Sequence, residues 1–337
     1  MVSTETSEIH MKANTSEREE KLQTCIKMVS RQIDEDNAKL DNRKLLEICR
    51  SYLDSAEENP HIYHEIAETA VNRLIMRRYV ADLLAAENPA DPCREIIKPL
   101  TERLPTQTWR SREQELWQQF STPPAIAYLL AYLMNFRPSE CVLEPSAGTG
   151  SLAVWASGVG LKTHVNEIDV RRAELLRVLG FSPSGYNAEY IHDYLPQDLK
   201  IDCVMMNPPF SASGGRMERM ASKFGFRHVS SALERLKAGG RFGIILGNAA
   251  GLDARAGNEF WRKLADRICL KAVFKISGRE YYKNGTSVDV NVFIGEKLPM
   301  ERKVDWNREQ TQIAQISART VEEAFNAAHN LNLRLNG

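Results

Sequence analysis

The pattern of apolar and polar residues changes along the chain near residue 110. Before that point, apolar residues recur at helical spacing from Asp41 to about Ala56 and from His61 to about Ala86. The first twenty residues are rich in Ser, Thr and Glu, and we expect them to be disordered because they have little to bury. Four prolines between residues 89 and 105 end the helical pattern. The sequence therefore predicts a disordered segment at 1–20 and a helical module at 21–110.

After residue 110, short apolar runs alternate with helical patterns, which is typical of a doubly wound, Rossmann-like α/β sheet. The last two runs are about eleven residues apart, too few for a crossover helix, so we predict an antiparallel hairpin at the sheet edge. Thr320 and Glu323 form a capping-box pattern ahead of a closing helix. We place the α/β domain at 111–300 and a C-terminal extension at 301–337. The predicted strands are Cys141–Leu143, Thr163–Asn166, Cys203–Met206, Phe242–Leu246, Ala272–Ile276 and Val288–Ile294.

The composition excludes several classes of protein. The chain has 337 residues, and its 44 Lys and Arg balance its 44 Asp and Glu, so any nucleic-acid contact requires a local basic patch. The longest apolar runs are far shorter than the ~20 residues of a membrane helix, and the N-terminus does not resemble a signal peptide. The six cysteines are scattered without a Cys-x-x-Cys pair. We therefore expect a cytoplasmic protein with no membrane contact and no metal site.

Two motifs follow the first two predicted strands. The first, in residues 144–151, begins with Glu144 and contains Gly148 and Gly150, which let the backbone approach a bound cofactor closely. Taken alone, it also fits a dinucleotide fingerprint or a simple tight turn. The second motif contains Glu167 and Ile168, where a carboxylate can accept both hydroxyls of a ribose. Its acidic residues could instead cap the following helix.

The motif Asn-Pro-Pro-Phe at 207–210 decides between these interpretations. It follows the predicted strand Cys203–Met206, at the carboxyl end where open α/β sheets bind their ligands. The two prolines fix the backbone and remove two N–H donors, so the carbonyl oxygens stand beside the Asn207 side-chain oxygen. This array is suited to accept hydrogen bonds from an amino group. A plain proline turn is the alternative interpretation.

With these motifs in place, the chain resembles the AdoMet-dependent N6-adenine DNA methyltransferases, a branch of the class I methyltransferases. The resemblance covers roughly residues 115–297. The order of a Phe-x-Thr-Pro segment at 120–123, the glycine motif and the catalytic motif is similar to modification subunits of type I restriction systems. Residues 207–213, 239–241 and 282–288 are also similar to methylase domains of strawberry notch-type phage proteins.

The resemblance implies a role for each matching residue. Asn207, Pro208, Pro209 and Phe210 would form the catalytic motif, with Asn207 and Phe210 facing the substrate base. The cofactor, S-adenosyl-L-methionine (AdoMet), would contact the matching residues of the preceding motifs. A third short strand is predicted at His192–Leu195, where Asp193 and Tyr194 would bind the amino group of the cofactor's adenine. These cofactor residues are Phe120, Thr122, Pro123, Glu144, Ala147, Gly148, Gly150, Glu167, Ile168, Asp193 and Tyr194.

The implied activity is methyl transfer to N6 of adenine in DNA, either single-stranded or duplex with the base flipped out. Tyr282, on the hairpin, is expected to stack on the flipped base opposite Phe210. Phosphate contacts are predicted from a basic run, although a solvated helix face would also explain part of it. The predicted phosphate contacts are Arg216, Arg219, Lys223 and Arg227.

Several functions remain open. In the resembled family a target-recognition domain usually follows or interrupts the catalytic core, whereas about forty residues follow the last predicted strand. A separate specificity or partner protein could therefore bind through the helical module. The alternatives to DNA methylation are methylation of adenine or guanine amino groups in RNA, methylation of a protein glutamine, and a non-catalytic binding subunit that keeps the fold.

Overall fold

The structure is a computed structural model. It describes residues 2–34, 39–53, 60–107, 121–209, 218–284 and 287–335, and for residues 2–16, 60–61 and 218–224 it describes the backbone only.

The N-terminal part of the chain is helical. A long helix α1 (Val2–Asp34) and a shorter α2 (Asn42–Tyr52) pack against α3 (Pro60–Leu74). Helix α3 continues through a π-helical segment, Ile75–Tyr79, into α4 (Val80–Ala85). The short α5 (Ala90–Pro92), a second π-helical segment (Cys93–Ile97) and α6 (Lys98–Glu102) complete this part.

Helix α1 begins well before residue 21, where the sequence interpretation placed the start of the helical module. In its second half, apolar side chains recur every three to four residues and are buried, among them Leu22, Ile26, Val29 and Ile33. Extending an existing helix is easier than starting one, because each added residue gains a hydrogen bond without a new nucleation step. The packed second half therefore supports helical backbone over residues 2–20, for which the sequence predicted disorder.

The remainder of the chain forms one seven-stranded sheet with helices on both faces, in the strand order β2-β1-β3-β4-β6-β5-β7. Strand β6 is antiparallel to β4 and β5, and the other pairings are parallel. The strands are β1 (Cys141–Glu144), β2 (Lys162–Val165), β3 (Ile201–Met206), β4 (Leu236–Gly247), β5 (Ile268–Ile276), β6 (Val290–Lys297) and β7 (Ala314–Ala318). The helices are α7 (Pro124–Met134), α8 (Ala153–Gly158), α9 (Val170–Leu179), α10 (Ile191–Tyr194), α11 (Glu218–Arg235), α12 (Arg255–Leu264), α13 (Trp306–Glu309) and α14 (Val321–Asn330). Short 3-10 turns lie at Ala188–Tyr190, Asn248–Ala250, Gly278–Asn284 and Gln310–Gln312.

The two faces of the sheet bury separate apolar cores. Along β3, Cys203 and Met205 belong to one core, while Val204 and Met206 belong to the other, as the two-residue period of a strand requires. The first core also contains the apolar side chains of the N-terminal helices and of α14. Helix α7 lies within it, and all of its residues are buried. The N-terminal helices therefore share a core with the sheet.

The predicted fold class is confirmed: a mixed α/β domain with a mostly parallel sheet and an antiparallel hairpin, preceded by helices. Two local features differ from the sequence prediction. Strand β7 pairs with β5, so the hairpin lies one strand in from the edge of the sheet. The short strand predicted at His192–Leu195 is wrong, because Ile191–Tyr194 forms a helical turn in which the Leu195 amide donates to the Ile191 carbonyl.

Polar contacts fasten the N-terminal helices to α9. Arg172 is buried and its Nε donates to Glu65 Oε1 on α3 at 3.0 Å. Nearer the surface, Arg18 on α1 pairs with Glu174 at 3.0 Å. Because removing one partner of a buried ion pair leaves an uncompensated charge, the Arg172–Glu65 contact fixes how α3 sits on the α/β domain. Across the described ranges, every helix is too short or too polar to traverse a lipid bilayer.

Candidate functional site

The glycine loop, residues 145–152, connects β1 to α8 at the carboxyl end of the sheet. Its turn is held by backbone bonds: the Ala147 amide donates to the Asn166 carbonyl at 2.9 Å, and the Gly150 amide donates to the Ala147 carbonyl at 2.8 Å. Gly148 and Gly150 have φ values of +56° and +87°, in the left-handed region that favours glycine. The loop is therefore a rigid backbone surface beside the end of β2.

The two glycines meet different surroundings. A Cβ on Gly150 would lie 3.0 Å from Leu179 Cδ1 and 3.1 Å from Leu176 Cδ2, so packing against α9 requires a glycine there. A Cβ on Gly148 would meet no described atom within 4 Å. Only Gly148 thus borders open space into which a ligand can fit.

The Glu167 side chain binds the backbone of the glycine loop. Its Oε2 accepts the Gly148 amide at 2.7 Å and its Oε1 accepts the Asp169 amide at 2.8 Å. Burial raises the pKa of Glu167, while the nearby Arg172 and the two amides oppose the rise. Asp169 caps α9 by accepting the amides of Arg171 and Arg172. Of the two acidic residues for which a capping role was considered, Asp169 therefore fills that role, and Glu167 holds the loop.

Glu144, the last residue of β1, has a buried carboxyl oxygen that needs a partner. The residue is 2% exposed, and its Oε2 has no hydrogen-bond partner among the described residues. Burial raises the pKa of Glu144 well above its usual range, the Ala153 amide lowers it and Glu167 raises it further. A cationic or hydrogen-donating group of a ligand would satisfy this oxygen, so the site fits a cofactor that carries such a group.

The surface beyond β2 is apolar and aromatic. Ile168 is 59% exposed although it adjoins the buried Glu167. Tyr194 stacks on Tyr186, with ring centroids 5.0 Å apart. The Asp193 carboxylate is exposed and lies 3.5 Å from His192 Nε2. Ile168 therefore offers a flat apolar contact for a ring, whereas the structure places Asp193 in a helical turn at the surface.

Asn207 follows β3 and contacts two segments that are distant in sequence. Its Nδ2 donates to Thr122 Oγ1 at 2.9 Å. The N-cap of α7 is Pro123, and no side chain caps that helix. Pro208 is buried and Pro209 is partly buried beside Asn207. The Asn-Pro-Pro motif and the Thr-Pro segment thus meet at the carboxyl end of β3.

The second contact of Asn207 is Tyr281, in the turn Gly278–Asn284. Tyr281 is 1% exposed; burial raises the pKa of its hydroxyl, and the neighbouring Asn207 side chain lowers it. The neighbouring Tyr282, which the sequence analysis assigned to base stacking, is 53% exposed, and Lys283 Nζ lies 5.5 Å from its ring centre. Tyr281 was not selected from the sequence, although its position next to Tyr282 was the available signal.

Helix α3 contributes polar residues that the sequence analysis did not select. Asn72 Nδ2 donates to the Thr149 carbonyl at 2.9 Å and approaches Ser151 Oγ at 3.3 Å. The Thr149 hydroxyl in turn donates to Glu68 at 3.4 Å. Residues 65, 68 and 72 share one side of α3 at i, i+3 and i+7 spacing, opposite the apolar stripe of Ile62, Ile66 and Ala70. A polar stripe of this kind is ordinarily a solvated surface, so the sequence held no signal that identifies them.

The predicted phosphate contacts and two predicted aromatic contacts are described only in part. Arg227 lies on α11, and its guanidinium is 3.5 Å from the buried Glu189. For Arg219 and Lys223, also on α11, only the backbone is described. The predicted residues that lie outside the described ranges are Phe120, Phe210 and Arg216. Among the side chains that are described, no three His, Cys, Asp or Glu residues come together as metal ligands would.

Comparisons with known proteins identify the fold. No family model matches the chain. A tRNA (guanine(6)-N2)-methyltransferase from Thermus thermophilus is 26% identical over 159 residues, which make up 44% of this chain and 43% of that relative. The chain thus spans less than half the length of this curated relative.

Solved structures with a similar fold include methyltransferases. One, from Listeria monocytogenes, is assigned as a class I S-adenosylmethionine-dependent methyltransferase; it has a TM-score of 0.50 at 10% identity, with 94% of this chain and 98% of that chain covered. Another is a type I restriction-modification methyltransferase subunit from Streptococcus thermophilus, with a TM-score of 0.49 at 14% identity and coverage of 90% and 73%. The chain has the fold of the class I AdoMet-dependent methyltransferases.

Proposed function

We propose that this protein transfers the methyl group of AdoMet to an exocyclic amino nitrogen, the N6 of adenine in DNA. The observation that carries the proposal is the 2.9 Å bond between Asn207 and Thr122 at the carboxyl end of β3. This bond brings the Asn-Pro-Pro motif to the segment that, by resemblance, binds the methionine end of AdoMet. The likeness of the motifs to type I modification subunits supports DNA as the substrate.

The chemistry assigned to Asn207 depends on the orientation of its amide. An adenine amino nitrogen is a poor nucleophile because its lone pair is delocalised into the ring. Two acceptors that draw its hydrogens out of the ring plane restore electron density on the nitrogen. Because Nδ2 donates to Thr122, Oδ1 is the atom of the Asn207 amide that can accept from the substrate, together with the Pro208 carbonyl.

AdoMet supplies an electrophilic methyl group, so no general base has to act before the transfer. The protein contributes positioning, which can supply on the order of 7 to 11 kcal/mol. In this proposal Glu167 and Ile168 bind the ribose and adenine of the cofactor, and Gly148 borders it. The remaining proposed cofactor contacts are Phe120, Thr122, Pro123, Glu144, Ala147, Gly150, Asp193 and Tyr194.

A base inside a duplex cannot reach Asn207 and has to be flipped out, at a cost of a few kcal/mol. Stacking on Phe210 and Tyr282 offsets part of this cost, by about 1 to 3 kcal/mol per base. The half-exposed ring of Tyr282 is available for such a contact. In the proposal, basic side chains of α11 hold the phosphate backbone, and the N-terminal helices can bind a separate specificity protein.

Methylation of an amino group in RNA is the second candidate. It is favoured by the 26% identity to a methyltransferase whose name specifies the N2 amino group of a guanine in tRNA. Adenine N6 and guanine N2 are both exocyclic amines on a purine, so the acceptors Asn207 and Pro208 serve either substrate. The difference between the two candidates lies in the polynucleotide that is bound.

Parallel transfer assays separate the candidates. Methyl-labelled AdoMet is incubated with duplex DNA, single-stranded DNA, transfer RNA and a protein mixture, and the labelled product is digested to identify the modified base. N6-methyladenine in DNA supports the proposal, and N2-methylguanine in RNA would replace it with the second candidate. The Asn207→Ala protein serves as the matched control, because label that persists in this variant does not come from the proposed site.

A further inference from the structure

A narrow cavity of about 20 Å³ lies between α3 and the α/β domain. From α3 it is lined by Glu68 and Asn72, and from the α/β domain by Thr122, Ser151 and Asn284. Thr122 also binds the catalytic residue Asn207, and Ser151 belongs to the glycine loop. The cavity therefore adjoins both halves of the proposed active site, and one of its walls comes from the N-terminal helices.

Glu68 is the acidic group of this cavity. Its Oε1 accepts from Asn284 Nδ2 at 3.1 Å, and its Oε2 accepts from the Thr149 hydroxyl at 3.4 Å. Burial raises the pKa of Glu68 to about 7; the Ser121 side chain lowers it, Glu65 raises it, and Arg172 and Asn284 lower it. Neutral donors thus surround a carboxyl group that burial disfavours in its charged form.

The cations near Glu68 are engaged with other partners. Arg172 binds Glu65 at 3.0 Å. Lys283 also lines the cavity, but its Nζ donates to the Leu104 carbonyl at 2.8 Å. Among the side chains that the structure describes, no Lys, Arg or His forms an ion pair with Glu68. A carboxyl group in this setting favours a ligand that brings its own positive charge.

We propose that Glu68 binds the cationic amino group at the amino-acid end of AdoMet, so that the N-terminal helices complete the cofactor site. The proposal rests on the proposed function, since it takes AdoMet as the ligand. The sulfur must face the substrate near Asn207, and the amino-acid chain leads away from the sulfur. A carboxylate repels the carboxylate of that chain and attracts its ammonium group, which selects the ammonium for Glu68.

Two probes isolate the amino-acid end. S-adenosylhomocysteine and 5′-methylthioadenosine share the adenosine and an uncharged sulfur, and only the first carries the amino-acid end. Calorimetric titrations of the full-length protein with both probes compare the wild type with Glu68→Gln. The variant should bind S-adenosylhomocysteine about ten- to a hundredfold more weakly, the loss typical of a hydrogen bond to a charged group. Its affinity for 5′-methylthioadenosine should stay the same.

Control variants address the remaining explanations. Glu95→Gln removes an exposed carboxylate from the same group of helices and should change neither affinity. Glu68→Asp keeps the charge on a shorter side chain and should bind S-adenosylhomocysteine more tightly than Glu68→Gln does, which also provides the comparison if the glutamine variant folds poorly. Thermal unfolding without ligand checks the fold of each variant.

The outcomes distinguish this inference from the proposed function. A wild-type protein that binds neither AdoMet nor either probe would overturn both. A wild type that binds the probes, together with a Glu68→Gln variant that binds them equally well, would overturn the inference alone. An equal loss for both probes would also overturn it, because Glu68 would then act by holding Thr149 and the glycine loop.

Discussion

The two halves of the candidate site are held together in different ways. On the cofactor side, which comprises the glycine loop and Glu167, the contacts are made mainly by backbone groups, as in the bonds from Gly148 and Asp169 to Glu167. On the substrate side, which comprises Asn207 and Tyr281, side chains from distant segments meet, and Asn207 also bonds to Thr122 of the proposed cofactor segment. The cofactor side is therefore defined by the path of the chain, and the substrate side by the packing of the whole domain.

The largest expected effect is that of Asn207→Ala, which separates the two sides. Removing the acceptor should lower methyl transfer at least about a hundredfold, the loss found when one charge-stabilising group is removed from an active site. AdoMet affinity should change by no more than a few-fold, because the glycine loop and Glu167 are untouched and Thr122 loses only one hydrogen bond. Transfer assays and calorimetry measure the two quantities, and near-normal transfer by the variant would contradict the acceptor mechanism.

The next largest effect is expected for Tyr282→Ala. If the exposed ring stacks on the flipped base, its loss should weaken substrate use by about 1 to 3 kcal/mol, seen as a higher KM for the polynucleotide. The unfolding temperature should hardly change, since the side chain is half-exposed. Tyr282→Phe keeps the ring and should retain most of the activity. Normal methylation by the alanine variant would show that the base is bound elsewhere.

The two glycines of the cofactor side offer a matched pair of variants. Gly150→Ala should lower the free energy of unfolding by about 1 to 3 kcal/mol, because the added Cβ meets Leu176 and Leu179 at a positive φ. Gly148→Ala carries the strain of a positive φ but no such contact. For the same loss of unfolding free energy, Gly148→Ala should therefore weaken AdoMet binding more than Gly150→Ala does. Denaturant unfolding measures the stability of the two variants, and calorimetry measures their AdoMet affinity. A larger loss of AdoMet affinity in Gly150→Ala would show that solvent, and not the cofactor, fills the open space at Gly148.

Tyr281→Phe is a smaller change on the substrate side. Removing the hydroxyl beside Asn207 takes away one neutral polar group next to the proposed acceptor, which should lower kcat about two- to tenfold and leave KM for AdoMet unchanged. The ring keeps its buried packing, so the fold should persist. A reduced kcat that is accompanied by an equally weakened cofactor affinity would mean that Tyr281 supports the domain as a whole.

The last prediction concerns stability rather than activity, through the pH dependence of folding at Glu68. Its pKa in the folded protein is about 7, above the usual 4.5 of a glutamate, so it favours folding at low pH and this contribution is lost as the pH rises from about 4.5 through 7. Glu68→Gln does not titrate. The variant should therefore gain stability relative to wild type between pH 5 and pH 8, by about 2 kcal/mol. Thermal unfolding of the ligand-free proteins at both pH values measures the gain, and a constant difference would contradict it.

The sequence was sufficient for features that are encoded by neighbouring residues. The alternation of apolar runs predicted β1 to β6, and the Thr320 and Glu323 pair predicted the start of α14, where Thr320 accepts the Glu323 amide. Strand β7 was not predicted, because its sequence contains no apolar run and only its last residue, Ala318, is buried. Tyr194 and its neighbours fold into a helical turn whose four residues are too few to show a period.

Features that depend on distant contacts could not be predicted. Asn207 and Thr122 are 85 positions apart in the chain, and nothing near either residue indicates their bond. The same holds for Asn72, which binds the glycine loop from 77 positions away. Local patterns specify elements and motifs, whereas the partner of a polar side chain is decided by how the elements pack.

Helix α7 has a consequence for how the protein can fold during synthesis. All eleven residues of α7 are buried, so it has no polar face to turn towards water. The N-terminal helices that share its core leave the ribosome first, whereas the sheet and α14 that complete the core leave it later. The apolar faces of the N-terminal helices that pack against the sheet therefore stay exposed during most of translation. A chaperone can bind them in this interval. Amide hydrogens of α7 should exchange with solvent only when the whole domain opens.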